Sequence, residues 1–399
     1  MTLPSLAPLF TPEARERLLA LRHDLHRHPE LSFEEHRTAE RLEGELAMLN
    51  PANLARVAQT GVVARIKGRD RTAPAVAIRG DIDALPIQED TGLAWASERA
   101  GVMHACGHDV HATWAVGAAH LLASRPARGD VVIILQPAEE TGRGANAMIE
   151  GGALADVRAI FGGHVDRRFP VGQVVAQAGP LAASADTFEI EVIGSGAHGA
   201  RPHEARDPIV AAGALITALQ TIVSRRLNPA TPAVVSICTV HAGTASNVIP
   251  GTATLGGTLR ATDAATRILL HDELGRIATG VAAAHGLEAR VSIEIGPPPV
   301  VNPEEPAAWA RRAITTLLGV DALVPLGFVN LAGEDFASYL ERVPGCFLRI
   351  GAREPHGAVI PAHSPKFYAA DETIFVGAAV LAEAARVAAE ELAGGSTGA

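Results

Sequence analysis

Three short apolar runs in the first half of this 399-residue chain each stop on side chains that such a run does not need. Ala75–Ile78 leads into Arg79-Gly80-Asp81-Ile82-Asp83. Asp130–Leu135 leads into Gln136-Pro137-Ala138-Glu139-Glu140, and Val157–Gly162 into Gly163-His164-Val165. Runs of this length and content predict strands buried on both faces. Helical patterns at 37–48 and 112–124 alternate with them. That alternation predicts an α/β fold with a mixed, mainly parallel sheet and helices on both faces. In open sheets of this kind ligands bind at the carboxyl ends of the strands. Asp81 and Asp83 fall on one side of an extended chain. They serve equally well as loop residues capping backbone amides.

Residues 103–111 read Met-His-Ala-Cys-Gly-His-Asp-Val-His. Cys106 and His108 stand two apart, close enough to reach one metal ion or two adjacent ones. The glycine between them permits a tight bend. Thiolate and imidazole favour Zn, Co, Ni or Mn over Ca or Mg. Taken alone, the stretch also fits a histidine-rich surface loop. Residues 12–22 read as a helix, with Thr11 as N-cap candidate and Pro12 in its first turn, and a second histidine group, His23, His26, His28 and His36, follows it. It reads as a metal cluster or as helix-surface polarity.

The pattern changes near residue 185. Thr187–Ile193 alternates apolar and polar residues, which predicts a strand with one wet face. Helix 207–225, strands 234–240 and 253–260, helix 263–285 and strand 289–294 follow. That βαββαβ order is the ferredoxin-like split motif. The domains expected are therefore 1–183 with 296–399, and an inserted domain at 184–295. Helices 306–318, 335–341 and 371–393 and strand 346–350 return the chain to the first domain. The tail after residue 393 is Gly/Ser-rich and is expected to fray.

Composition narrows the partners. A net charge of -10 without a basic run argues against nucleic acid. No unbroken run of eighteen apolar residues occurs, so no membrane span is expected. The first 25 residues lack the basic and apolar regions of a signal peptide. Three scattered cysteines do not make a disulfide framework, and a reducing, cytoplasmic location is the expectation. Cys238 and Cys346 sit in apolar runs and read as buried small hydrophobes.

Cys106, His108, Glu140, His164 and His363 all fall near the ends of elements of the first domain. Five ligands of mixed S, N and O type exceed one closed tetrahedral site and suit two ions sharing a bridge. Glu139, next to Glu140, would point elsewhere and take a proton from the attacking water. The pair also fits a solvated helix N-terminus.

The chain resembles the aminoacylase and hippurate hydrolase family of dinuclear metal amidohydrolases, including the indole-acetyl-amino-acid hydrolase branch. The resemblance runs from His26-Arg27-His28-Pro29-Glu30 to His363. It is carried by GDIDALP (80–86), MHACGHDVH (103–111), QPAEE (136–140), GGHV (162–165), GAHGARPH (196–203), SNVIPG (246–251), GEDF (333–336) and AHS (362–364).

The resemblance implies a zinc-exopeptidase-like catalytic domain and a lid or dimerisation domain. It implies Cys106, His108, Glu140, His164 and His363 as metal ligands, with Cys106 bridging. Glu139 becomes the general base and later proton donor, and Asp83 the carboxylate behind the ligands that orients them. His198 would polarise the scissile carbonyl, often across a dimer interface. Asn247 and Arg260 would grip the substrate carboxylate. A strand-borne guanidinium can do this bidentately, although each residue alone also fits a surface or turn role.

Departures from the family pattern are Thr141-Gly142-Arg143-Gly144, Gly196-Ala197-His198, Val165-Asp166-Arg167-Arg168 and Ser364. The implied activity is hydrolysis of N-acyl-L-amino acids with two divalent ions (Mn, Zn, Co or Ni), by a homodimer or tetramer. A dipeptidase or exopeptidase on the same scaffold is one alternative, and a non-catalytic binding protein another.

Overall fold

The computed structural model describes residue 3 and residues 5–394. The tail expected to fray lies outside them from residue 395 on. The described chain divides into two compact units. One comprises Met1–Gly179, Asn302–Gly327 and Ser338–Ala399, the other Pro180–Val301 and Phe328–Ala337.

The first unit is built on a seven-stranded sheet. Its strands run in the spatial order Asn53–Val57, Gly61–Ile66, Val131–Gln136, Ala75–Asp81, Val157–Pro170, Gly345–Arg353 and Val174–Val175. The four central strands among these, from Val131–Gln136 to Gly345–Arg353, are parallel neighbours, and the flanking ones are antiparallel. The expected mainly parallel α/β sheet is therefore present. Strands Ala75–Asp81 and Val131–Gln136 are buried along their whole length, as their continuous apolar runs predict.

The helices His108–Ser124 and Glu372–Gly394 pack against each other on this sheet. A Cβ on Gly377 would lie 2.2 Å from the Trp114 ring, so only glycine allows this crossing. Helix Pro12–Arg27 starts as its sequence predicts. Thr11 accepts the Ala14 N–H, and Pro12 fills the first turn.

The second unit holds a four-stranded antiparallel sheet in the order Ala233–Ala242, Thr252–Ala261, Asp186–Ile193 and Glu288–Glu294. Helices Pro208–Thr221 and Ala264–Ala284 pack on it through Leu215, Leu219, Leu270 and Leu274. Asp207 caps the first of them by accepting the Ile209 and Val210 amides. The segment Pro208–Arg226 is by length and composition apolar enough to cross a membrane. It escapes the criterion of an unbroken apolar run because Thr, Gln, Gly and Ser interrupt it. Here it contributes Ala211, Ala212, Leu215 and Leu219 to the core of this unit.

One cysteine departs from expectation. Cys346 is fully buried, but Cys238 is exposed. Its strand lies at the sheet edge, and the register slips between Ile237 and Thr239, opposite Gly257 and Gly256. The bulge leaves Cys238 without a cross-strand partner and turns it out of the core.

Candidate metal centre

The centre of the first unit forms where the carboxyl ends of the central strands meet the first turn of helix His108–Ser124. Gly107 precedes that turn with φ 92°. A Cβ there would lie 2.5 Å from Val165 Cγ2, so space and backbone both call for glycine. Three residues apart, His108 and His111 occupy one side of the turn and meet the two aspartates of the neighbouring strand end.

His108 Nδ1 lies 2.9 Å from the Asp83 carbonyl and 3.0 Å from its Oδ1. Both partners accept, so Nδ1 carries the proton and Nε2 keeps its lone pair. Asp83 also accepts the Ser32 hydroxyl at 2.8 Å and the Glu140 N–H at 3.0 Å. Burial pushes its carboxyl up, but His108, Ser32 and the Glu140 amide outweigh this and hold it below the ordinary value. His164 is fixed the same way. Its Nδ1 donates to the Val165 carbonyl at 2.7 Å, and its Nε2 faces Cys106 Sγ at 3.2 Å.

The remaining ligand candidates close the ring. His363 Nε2 stands 3.4 Å from Glu140 Oε2, and His108 Nε2 stands 3.8 Å from Glu140 Oε1 and 3.9 Å from Glu139 Oε2. Donor atoms fall within 4.8 Å of one another in the sets Cys106–His108–His164, Cys106–Glu140–His363 and His108–Glu139–Glu140. Glu139 and Glu140 are only 10% and 11% exposed, which excludes the solvated-pair reading.

Two buried atoms of this set, His108 Nε2 and Glu140 Oε1, have no hydrogen-bond partner. Such orphans are costly unless something else binds them. Burial and the Glu140 carboxylate push the Cys106 thiol well up, and its hydrogen bond to Glu140 raises His363. An ion bound here would have to displace the protons these groups hold. The donor set of thiolate, imidazole and carboxylate suits a transition metal.

Several contributors escape sequence reasoning. Asp81 is engaged by its neighbours. It pairs with Arg79 and accepts His111 Nδ1–H at 2.6 Å, while His111 Nε2 accepts the Val165 N–H at 2.9 Å. Glu35 accepts the Ala138 N–H at 2.9 Å and the Thr60 hydroxyl at 2.5 Å. This pins the turn at Ala138, where φ is 54°. Of the early histidines, His26 is 1% exposed and lies between Asp109 (2.9 Å) and Glu89 (3.3 Å). It is a structural imidazole, neither surface polarity nor a ligand. Asp109 is likewise taken up by Arg22.

The other candidates belong to the second unit. The short ribbon Ala197–His198 with Val248–Ile249 pairs His198 with Val248. The Gly199 N–H donates to the Asn247 carbonyl at 2.8 Å. His198 and Asn247 are thus neighbours, and both are exposed. Arg260 lies on strand Thr252–Ala261, half-buried. Its guanidinium would lie 3.7 Å from a Cβ on Gly333.

A parallel α/β sheet whose strand ends gather thiolate, imidazoles and paired carboxylates around buried orphan donors defines a metal-dependent hydrolase. The chain matches the Peptidase family M20/M25/M40 over residues 77–387 and belongs to that family. It is 40% identical over 389 residues to N-acetylcysteine deacetylase of Bacillus subtilis, covering 94% of this chain and 98% of the relative. It is 38% identical to IAA-amino acid hydrolase ILR1-like 2 of Arabidopsis thaliana, over 94% of this chain and 86% of the relative. Thermostable carboxypeptidase 1 of Saccharolobus solfataricus is 35% identical, over 92% and 94%. Among solved structures, a dinuclear metal-binding peptidase from Bacillus subtilis superposes with TM-score 0.81 at 38% identity, over 94% of this chain and 98% of that one.

Proposed function

We propose that this enzyme hydrolyses the amide bond of N-acyl-L-amino acids, releasing a carboxylate and a free amino acid. The observation that carries the reading is the cluster of Cys106, His108, Glu140, His164 and His363, with Glu139 beside it and two buried donor atoms left for an ion. The similarity to a deacetylase and an amino-acid-conjugate hydrolase supports the acyl-amino-acid class.

These five residues would hold two divalent ions, Mn, Zn, Co or Ni, which when bound supply Lewis acidity at the scissile carbonyl and activate water. Glu139 takes the proton of the attacking water on its carboxylate and returns it to the leaving nitrogen. Asp83 holds His108 in the tautomer that offers Nε2. His198 polarises the carbonyl, and Asn247 with Arg260 fixes the α-carboxylate, so the amide is oriented for attack. Assembly as a homodimer or tetramer through the second unit belongs to the same reading. The open edge at strand Ala233–Ala242, where Val240 is 48% exposed, supports it.

The test is amino-acid release from a panel of N-acetyl, N-benzoyl and indole-acetyl amino acids, beside dipeptides and acyl amino-acid amides. Release should require a free α-carboxylate and should fall by about 10²–10⁴ in Glu139→Gln, with metal content kept. A Glu139→Gln enzyme as fast as the parent would remove Glu139 from this role. Dipeptides turned over better than every acyl amino acid would favour the exopeptidase reading, which the carboxypeptidase similarity supports.

A further inference from the structure

Four arginines are buried among the described residues: Arg22, Arg79, Arg167 and Arg349. The first three are saturated. Arg22 pairs with Asp109 and Asp371, and Arg79 with Asp81 and Gln136. Arg167 donates to Glu354 and to the carbonyls of Ala352, Ala358 and Tyr368. Arg349 differs. It is 6% exposed, its Nε is buried without a hydrogen-bond partner, and no carboxylate among the described residues stands within ion-pair distance. Its guanidinium lies 5.7 Å from the centre of the Phe347 ring, which replaces little of the lost hydration.

Its position gives that cation a use. Arg349 lies on strand Gly345–Arg353, in parallel register with His164 of the next strand. Side chains of paired residues in a parallel ladder leave the sheet on the same face. Arg349 and a proposed metal ligand therefore stand at paired positions on one face of the sheet. A guanidinium cannot shed its proton, and of its nitrogens only Nε is buried without a partner, so the two terminal nitrogens are left to take an anion. Its neighbours on the strand are apolar or neutral and supply no anion, and a carboxylate matches the planar fork.

We propose that Arg349 binds a second carboxylate of the substrate, beyond the α-carboxylate, and so directs the enzyme to dicarboxylic N-acyl amino acids. The extra carboxylate sits either at the far end of the acyl chain or on the amino-acid side chain. The inference rests on the acyl-amino-acid reading above.

The test compares kcat/KM for N-acetyl-L-leucine, N-succinyl-L-leucine and N-acetyl-L-glutamate in the parent enzyme, Arg349→Leu and Arg349→Lys. The parent should prefer one acidic substrate, and which one it prefers identifies the carboxylate's source. Arg349→Leu should lower the acidic-to-neutral ratio by about 30-fold or more, the effect of breaking a buried charge pair. Arg349→Lys, which keeps charge but loses the fork, should fall between. Should the leucine variant fail to fold, the lysine variant alone must still lower the ratio. No acidic preference in the parent, an unchanged ratio, or an equal loss on all three substrates would overturn the proposal. Hydrolysis of N-acetyl-L-leucine by the parent would uphold the functional reading in each of those cases. Failure to hydrolyse any of the three would sink both.

Discussion

His111 donates Nδ1–H to Asp81 and accepts the Val165 N–H at Nε2, which leaves it no lone pair for an ion. The carbonyl of the same Val165 accepts from His164 Nδ1. His111 thus braces Val165, the residue whose carbonyl sets the tautomer of a proposed ligand. His111→Ala should lower metal affinity by about 10–100-fold with the fold kept, read by competition with a chromophoric chelator. Unchanged affinity would show that His111 serves the core alone. From sequence, Asp81 and Asp83 looked equivalent, each open to a site role or a capping role. The structure gives each a histidine, and the one paired with His108 supports a proposed ligand. That division depends on Arg79 and Gln136 closing around Asp81, which spacing along the chain does not encode.

Helix His108–Ser124 begins at a glycine that serves both geometry and space. In Gly107→Ala, a Cβ would press on Val165 at a backbone angle that L-residues avoid. The change should cost about 2 kcal/mol or more and lower the melting temperature, with metal binding weakened in step. An unaltered melt would mean that the turn relaxes freely.

The second unit has its own electrostatic tie. Asp186, at the start of strand Asp186–Ile193, binds Arg267, His271 and the Gly296 N–H. Burial pushes its carboxyl up, but these donors outweigh it and hold the group below its ordinary 3.8. A depressed carboxylate stabilises the fold at pH above 3.8 and loses that contribution as pH falls through the folded value. Asp186→Asn should therefore cost about 2 kcal/mol near neutrality. The gap in melting temperature between parent and variant should hold above about pH 3.8 and close as pH falls below it. A gap that stayed constant with pH would contradict the assignment.

Over the whole molecule, most strands and helices were legible because apolar period and turn residues coincide with element ends. Glu139 and Glu140 were legible because they follow the end of strand Val131–Gln136, and Cys106 and His108 because they stand at the start of a helix, whereas His164 lies inside strand Val157–Pro170 and His363 in a loop, and both were legible through their motifs. What stayed hidden comes from long-range packing. Glu35 reaches the Ala138 amide across 103 residues, and His26 is buried by Asp109 and Glu89. Cys238 looked like core until the bulge on an edge strand turned it out.

The central claim is that Cys106, His108, Glu140, His164 and His363 hold two ions that the chemistry needs. The most direct test strips the enzyme with chelator and titrates it with Mn, Co, Ni or Zn, following bound metal and amino-acid release from an N-acyl amino acid together. Release should be absent without metal and should level off at two equivalents per chain. Full release in the presence of chelator, or a plateau at one equivalent, would contradict the account.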